Sequence, residues 1–451
     1  MQVMLIMAYL SWFWAGVSGV IAAWVLGAAP VAAEVLTLDR AYREFLSRGV
    51  EFGIVADEVA ATAEGVEQAR GGLRPRVELG ASVTGRNQNV LSSTNPAYTI
   101  GQDSYGEGEV NLSLTYPIWD PERTQALSVA QAQLVQAQVE GLVIQNATTR
   151  ELVVAFLSVA QAQVDIRRAK VVQRARQELG QVVTAQIEAG REDASARDVV
   201  LADVAAAGVN LAEAEQRLAE ALGQLQRFIT SDVTAVDARS MRIGAVNLGR
   251  GSQSFTKPNL LRYSPEVQAA LAGLTVQSER QTLAAAARKP KVQLLASLEA
   301  QNAQGSLFGG GSNIRMGATG VSVSVPIYEG GILKSREREE ANRSSAQARR
   351  VQQVQDAQIA SFKALRLAQN QLAAQRKALE RQHAAMSRSV QAERQRLESG
   401  RGTEAAMLER STQRDLVMID LERASLQQVL LQTEIFALFG AFDPRVVAAA
   451  R

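Results

Sequence analysis

Apolar and polar residues alternate along four short segments, which form two pairs about 210 residues apart. Apolar residues occupy every second position near 75–86 and 107–117, and again near 290–301 and 316–326. A period of two is typical of a strand with one apolar face. The sequence therefore predicts four β-strands, two in each half of the chain, with loops at 85–106 and 301–315 that are rich in Asn, Ser and Gly.

Each strand pair is followed by a long segment with a helical period. Leu365, Leu372 and Leu379 follow one another at heptad spacing, which is typical of a coiled-coil seam. After Pro121 no proline occurs before residue 189, so this segment predicts a helix of roughly 100 Å at 1.5 Å per residue. A glycine turn then leads into a shorter return helix. The pattern predicts long helical hairpins over 121–229 and 332–439.

Short motifs confirm that the two halves are copies of one unit. The segment LSLTYPIWD at 112–120 matches VSVSVPIYE at 321–329, and EAGR at 188–191 matches ESGR at 398–401. An internal repeat of this kind defines the architecture. We therefore predict a first repeat over 34–230, a linker over 231–263, a second repeat over 264–441 and a short tail over 442–451.

The N-terminal segment before Glu34 is apolar from about Val3 to Ala33. Small residues at Val31 and Ala33 favour a signal peptide over residues 1–33 that is cleaved after Ala33. No Lys or Arg precedes the apolar run, and the run is long enough to span a membrane, so an uncleaved anchor is the alternative. With either a cleaved signal peptide or an uncleaved anchor, the rest of the chain is expected to be exported from the cytoplasm.

Composition excludes several kinds of chemistry. The chain has no cysteine and one histidine, His383, so it offers no thiolate ligand or cysteine nucleophile. It contains no Gly-Lys-Thr phosphate loop, dinucleotide fingerprint or His-Glu-x-x-His motif. The net charge is +2, and alternating signs such as RERE at 336–339 indicate a solvated helix face rather than a nucleic-acid surface. We predict no enzyme activity, no cofactor and no metal site.

The strands have the length that a membrane strand needs, about ten residues. Aromatic residues flank them, as in an interfacial belt: Tyr98, Tyr105, Tyr116, Trp119 and Tyr328. A soluble sandwich remains the alternative for strands with one apolar face. Four strands cannot close a barrel, and an open sheet edge cannot lie in lipid. If the strands span a membrane, several chains must share one barrel.

The motifs YPIWD at 116–120 and SVPIYEGG at 324–331, with the paired glycine turns, resemble the TolC family of outer-membrane efflux proteins. The resemblance covers about residues 36–440. It implies a mainly α fold with a membrane β-barrel portion. In that fold the long coiled-coil hairpins form an α-barrel, and the four strands of each chain are shared in a 12-stranded trimeric β-barrel.

The resemblance also implies a function. The chain would be a passive export duct of a tripartite efflux or type I secretion system, with its barrel in the outer membrane and its helical tunnel in the periplasm. Expected partners are two other copies in a homotrimer, a periplasmic adaptor (membrane fusion) protein, an inner-membrane pump of the ABC, RND or MFS type, and outer-membrane lipid, but no nucleic acid. The missing lipidation cysteine favours the unacylated branch of the family, which also serves type I secretion.

Two groups of candidate site residues follow from the resemblance. The first is the periplasmic tip or gate, where acids would form cation-selecting rings or would simply be solvated turn residues: Gly190, Glu192, Asp193, Ser195, Asp198, Gly400, Thr403, Glu404 and Glu409. Ser195 with Asp198, and Thr403, are expected to start the return helices, and the first turn is expected to be about two residues longer. The second is the strand-to-helix hinge, where proline suits a first helical turn: Pro117, Pro326, Gly330 and Gly331.

One alternative function remains open at this point. The chain could be a periplasmic coiled-coil adaptor or structural protein that is held by an uncleaved N-terminal helix. That alternative predicts one hairpin and no membrane strands.

Overall fold

The computed structural model describes residues 35–238 and 255–440, apart from residues 93, 95, 97–99 and 306–309. The predicted signal segment and tail lie outside the described residues, as do Tyr98 and the middle of the predicted linker. The described residues are mainly helical with one four-stranded sheet, in agreement with the predicted fold class. Two long hairpins and the sheet contradict the alternative of a single-hairpin adaptor.

The elements repeat in the same order in both halves. The first half contains α1 (Leu38–Arg48), α2 (Val50–Gly71), β1 (Arg76–Val90), β2 (Gly101–Trp119), α3 (Pro121–Glu188) and α4 (Ser195–Gln226). The second half contains α5 (Lys257–Tyr263), α6 (Pro265–Ala286), β3 (Lys291–Ala303), β4 (Ser312–Ser324), α7 (Ile332–Glu398) and α8 (Glu404–Leu438). Both α3 and α7 are about 100 Å long at 1.5 Å per residue.

The four strands form one antiparallel sheet in the order β1-β2-β3-β4. Its register places Val77 opposite Leu114, Leu114 opposite Ala296, and Ala296 opposite Thr319. Because side chains alternate along a strand, these residues share one face, which we call the apolar face. The opposite, polar face carries the glutamates of the strands. β1 and β4 are the two edges of the sheet and have no further partner within the described chain.

Both strand pairs extend further into the predicted loops than expected. β1 continues to Val90 and β2 begins at Gly101, where a loop over 85–106 was predicted. Asn87 and Gln102 are bonded through their side chains at 3.1 Å in this region. The prediction was wrong there because strand pairing is made by the backbone, and a polar hairpin can pair without apolar alternation. β4 likewise begins at Ser312, inside the predicted second loop.

The helices form a layer with two open edges. α3 contacts α2, α4, α6 and α8, whereas α7 contacts α5, α6 and α8. The order across the layer is therefore α2 and α4 at one edge, α3 and then α6 and α8 in the middle, and α7 at the other edge. β1 follows α2 and β4 precedes α7, so each sheet edge is joined to the helix at the edge on its own side.

The largest hydrophobic core surrounds the middle of α3. Phe156 and Leu152 are fully buried there against α1, the end of α4 and the segment after it. Phe45 of α1 and Phe228 stack edge to face with ring centroids 5.9 Å apart. Of the described helices, α3 alone is long and apolar enough to cross a bilayer, but its central residues are buried in this protein core.

A short strap closes this core from the side. Leu36 pairs with Val236 in a parallel bridge, with the Leu36 N–H donating to the carbonyl of Ala235 at 3.1 Å. The side-chain amide of Gln163 on α3 lies 3.0 Å from both the N–H and the carbonyl of Val236, and one orientation of the amide bonds to both groups. These bonds satisfy buried backbone groups and hold the start of the first repeat against the start of the linker.

We expect Phe156→Ala to lower the free energy of unfolding by about 3–5 kcal/mol, because it opens a cavity in a fully buried site. The matched control is Val135→Ala on the same helix, where the side chain is 53% exposed and the expected loss is under about 1 kcal/mol. Denaturant unfolding followed by circular dichroism measures both. Equal losses in the two variants would contradict this assignment of the core.

Candidate functional site

The first hairpin turns back at Gly190. The glycine adopts φ 68, in the left-handed region, and directly follows the end of α3. The N–H of Arg191 donates to the carbonyl of Gln186 at 2.8 Å, and that of Gly190 donates to Ile187 at 2.9 Å. These bonds satisfy the last carbonyls of α3 in a Schellman-type ending. Glycine is favoured here because a Cβ is strained at this φ.

The second hairpin turns back in the same way at Gly400, which has φ 70. The N–H groups of Arg401 and Gly402 both donate to the carbonyl of Arg396, at 2.8 and 3.0 Å. A Cβ on Gly402 would lie 2.8 Å from the Leu397 nitrogen, so this turn has no space for a side chain. The Thr403 hydroxyl accepts from the Ala406 N–H at 3.2 Å and caps α8, as predicted.

The predicted cap of the first return helix is wrong. Ser195 is the first residue of α4 rather than its cap, and its N–H donates to the Asp193 carboxylate at 2.9 Å. This backbone bond, with a further bond from the Ser195 side chain, lowers the pKa of Asp193 below its ordinary value. Asp198 lies exposed in the first turn of α4. The first turn spans residues 189–194 and the second 399–403, so the first is one residue longer, not two.

The candidate tip acids do not meet one another within one chain. Glu192, Asp193 and Glu404 are exposed, and no hydrogen bond or ion pair joins the acids of the first turn to those of the second among the described residues. No group of three or more described acidic or histidine side chains could hold a metal ion. Any ring of these carboxylates would need several copies of the chain.

Glu409 differs from the other acids because it lies beside a cavity. Its carboxylate accepts from Gln413 at 3.1 Å. It lines a cavity of about 510 Å³ between α3 and α8, together with Arg176 and Leu179 of α3. The two hairpins are therefore loosely packed against each other close to their tips.

Farther from the tips, ion pairs fasten α3 to α8, and sequence reasoning missed them. Arg167 pairs with Glu422 at 2.5 Å, Arg150 pairs with Glu434 at 2.7 Å, and two further pairs join Arg168 to Asp420 and Arg423 to Asp165. The Glu434 hydrogen bond raises the pKa of Arg150. Single half-exposed pairs contribute little each, but four of them join the same two helices. No local signal could reveal pairs whose members are about 250 residues apart.

The first strand-to-helix hinge joins the end of β2 to a capped helix start. β2 continues through Pro117 to Trp119, with a register shift between these two residues. Asp120 caps α3 by accepting from the Arg123 N–H at 3.1 Å, and Pro121 occupies the first helical turn. Pro117 therefore lies near the end of β2, and the helix begins at Pro121, the predicted start of the hairpin, because this proline follows the capping acid.

The second hinge is a glycine joint. β4 ends at Ser324, and Pro326 lies in an extended connection that precedes α7 by six residues, so it too lies outside the first helical turn. Gly330 and Gly331 have φ 60 and 84, a pair of left-handed residues that reverses the chain before Ile332. Ile327 is 93% exposed and Tyr328 84% exposed in this connection.

Comparison with known proteins agrees with this geometry. The model of the family described as "Outer membrane efflux protein" matches residues 42–230 and 258–441. A search of curated proteins gives no match.

Solved structures share the fold at low sequence identity. The OprN outer-membrane channel aligns with a TM-score of 0.74 and 17% identity over 90% of this chain and 90% of its own. The CmeC outer membrane channel of Campylobacter jejuni gives 0.70 and 13% over 87% and 83%. The MtrE outer membrane channel of Neisseria gonorrhoeae, in its open state, gives 0.68 and 17% over 89% and 88%.

We expect Gly400→Val to destabilise the second turn by about 1–2 kcal/mol, because a β-branched residue is strained at φ 70. Limited proteolysis should then cut faster near residues 399–403. Gly208→Ala in the middle of α4 is the control, since a Cβ there meets nothing within 4 Å. Unchanged cleavage in Gly400→Val would show that the glycine is not required by the turn.

Proposed function

The chain belongs to the outer membrane efflux protein family, and on that premise we propose that three copies assemble into one passive export duct. The sheet lies in the outer membrane and the helical layer extends into the periplasm. The observation that supports the trimer is that each chain has two open edges in its sheet and two open edges in its helical layer.

The sheet edges support assembly by their unmade hydrogen bonds. The backbone groups on the outer side of β1 and β4 have no partner in the described chain. In lipid such groups cost several kcal/mol each, so membrane sheets are closed. β1 of one copy is antiparallel to β4 of the next if the copies are arranged in a ring, and three copies then supply twelve strands.

The helical edges support the same ring by their charge. α7 carries fourteen Lys and Arg against seven acids. At the opposite edge, α2 carries five acids against one arginine, and α4 five acids against two arginines. A ring places the basic edge of each copy against the acidic edge of its neighbour, whereas a two-fold pairing of like edges would repel.

Charges of opposite sign also lie at similar heights along the tunnel. Gln347 of α7 and Gln136 of α3 both lie next to Gly273, so these two glutamines are at about the same height. Val55 of α2 lies beside Gly141 of α3, so these two residues are also at about the same height. Residues 136 and 141 are about 7.5 Å apart along the helix. A rotation about the tunnel axis keeps heights unchanged, so Arg349 and Arg350 of one copy come level with Asp57 and Glu58 of the next.

We further propose that the duct works with a periplasmic adaptor protein and an inner-membrane pump and expels small toxic molecules or secreted proteins. The chain would perform no reaction itself, because the relatives that match it are channels. Service in type I secretion, favoured by the missing lipidation cysteine, remains part of this proposal.

The tip is the proposed gate. In a ring, Glu409 recurs three times beside the loosely packed end of the hairpins, with Glu192, Asp193 and Glu404 in the exposed turns. Rings of carboxylates attract cations into a narrow pore. The ion pairs between α3 and α8 would keep the hairpins together above this point, so that movement is confined to the tip.

The charge pattern at the helical edges gives a test of assembly. We expect Arg349→Glu with Arg350→Glu to weaken the trimer, and Asp57→Lys with Glu58→Lys to weaken it similarly, because each creates like charges across the interface. Combining all four substitutions should restore the trimer. Native mass spectrometry in mild detergent measures this. A combined variant that assembles no better than either half would contradict the proposed pairing.

The gate proposal predicts a change in ion selectivity. Glu409→Gln should lower the cation-to-anion permeability ratio severalfold in planar bilayers, because it removes three carboxylates from the ring without changing side-chain size. Glu213→Gln, on the exposed face of α4 far from the turn, is the control and should leave the ratio unchanged. The proposed role is wrong if both variants retain the wild-type ratio.

A further inference from the structure

Among the described residues, the apolar face of the sheet carries a single charged side chain, that of Arg315. Every other charged side chain that the structure describes in the four strands lies on the polar face, for example those of Glu109 and Glu299. The members of the apolar face between the polar ends of the strands are Val77, Leu79, Ala81, Val83, Gly108, Val110, Leu112, Leu114, Tyr116, Val292, Leu294, Ala296, Leu298, Ala300, Arg315, Gly317, Thr319, Val321 and Val323. An ionisable residue on a lipid-facing surface indicates a function.

Arg315 lies close to the end of the sheet that faces away from the helices. It is opposite Ala300 and three residues from the start of β4 at Ser312, about 10 Å along the strand. The next residues outward on the same face are Asn302 and Asn313, which are already polar. Because the helices lie in the periplasm, this end of the sheet reaches the outer leaflet of the outer membrane.

The two ends of the apolar face differ in their anchoring residues. Tyr116, Trp119 and Tyr328 lie at the periplasmic end, where aromatic residues usually mark the membrane interface. At the outer end, Tyr105 is opposite Arg86 on the polar face and packs against Gly305, so it does not face lipid, contrary to the expected belt. Among the described residues, Arg315 therefore occupies the place of an aromatic anchor at the outer end.

The guanidinium of Arg315 has no protein partner in the structure. The side chain is exposed and makes no hydrogen bond or ion pair with the described residues. A neighbouring copy that pairs with β4 through its β1 supplies no carboxylate either, because the apolar face of β1 carries only uncharged residues from Val77 to Asn87. The charge is therefore left for a ligand from outside the protein.

A groove beside Arg315 has the shape and polarity for an acyl chain. It has a volume of about 430 Å³ and is lined by Val110, Leu112, Leu298, Ala300, Arg315 and Gly317 of the apolar face, and by Glu299 and Met316, which belong to the polar face. Gly317 opens this space, since a Cβ there would lie 3.2 Å from the Leu298 side chain. A basic group at the outer end of an apolar groove is complementary to a lipid that carries a phosphate above its acyl chains.

We propose that Arg315 binds the phosphate of a phosphorylated glycolipid of the outer leaflet, of the lipid A type, and that one acyl chain lies in the groove beside Gly317. Arginine suits this role because its guanidinium forms two parallel hydrogen bonds to a phosphate. Three such sites, one on each chain, would fix the height of the barrel in the outer leaflet. The inference uses the outer-membrane placement and does not depend on the cargo, the pump or the gate.

Lipid binding to the purified full-length oligomer tests this site. The probes are bisphosphorylated lipid A, the same lipid after removal of both phosphates, and phosphatidylglycerol, each titrated in native mass spectrometry. Wild-type protein should bind phosphorylated lipid A about tenfold more tightly than the dephosphorylated form, the effect of one charge-assisted contact. Arg315→Gln should abolish that preference, and Arg315→Lys should retain part of it.

The matched control is Arg86→Gln, which removes a charge from the polar face, where Arg86 pairs with Glu107. It should keep the wild-type preference. Equal binding of both lipid A forms by wild-type protein would overturn the proposal, as would a preference that persists in Arg315→Gln. Equally tight binding of phosphatidylglycerol would overturn the assignment to the outer leaflet. Measuring the conductance of the same preparations distinguishes the two failures: a variant that still conducts has lost only the lipid site, whereas one that no longer conducts has lost the duct.

Discussion

Unpaired backbone groups along β1 and β4 are the constraint on which the rest of the structure depends. A strand edge in lipid has no water to satisfy its N–H and C=O groups, so the sheet must close. One chain supplies four strands, too few for a barrel, and the missing partners must come from other copies. The helical layer is open at the same two sides, with α7 basic and α2 and α4 acidic. Closure of the sheet and of the helical layer is thus one event.

The internal duplication accounts for the similarity of the two repeats. The two repeats differ in role where their structures differ, at the hinges and at the tip turns. The first hinge leads from strand to helix through a capped start at Asp120, whereas the second contains two left-handed glycines. The first turn at the tip is held by Asp193 and the second by Thr403. The two hairpins are thus joined to the sheet by different connections.

The sequence predicted the strand pairs, the hairpins and the glycine turns because each depends on local periodicity or on one residue's φ preference. It failed where the cause is nonlocal. The extension of β1 to Val90 depends on backbone pairing with β2, and the pair between Arg168 and Asp420 joins residues from different repeats. The bond from the Ser195 N–H to Asp193 was missed because two acids and a serine follow one another closely, and only geometry selects among them. Arg315 was overlooked because its significance depends on which face of the sheet it occupies.

The central claim, that the chain forms a closed duct by self-assembly, is tested most directly by single-channel recording of the purified protein in planar lipid bilayers, with its oligomeric mass determined in the same mild detergent. The account predicts a trimer that inserts and gives discrete, small conductance steps. A folded monomer or dimer, or a trimer that inserts without conducting, would contradict it.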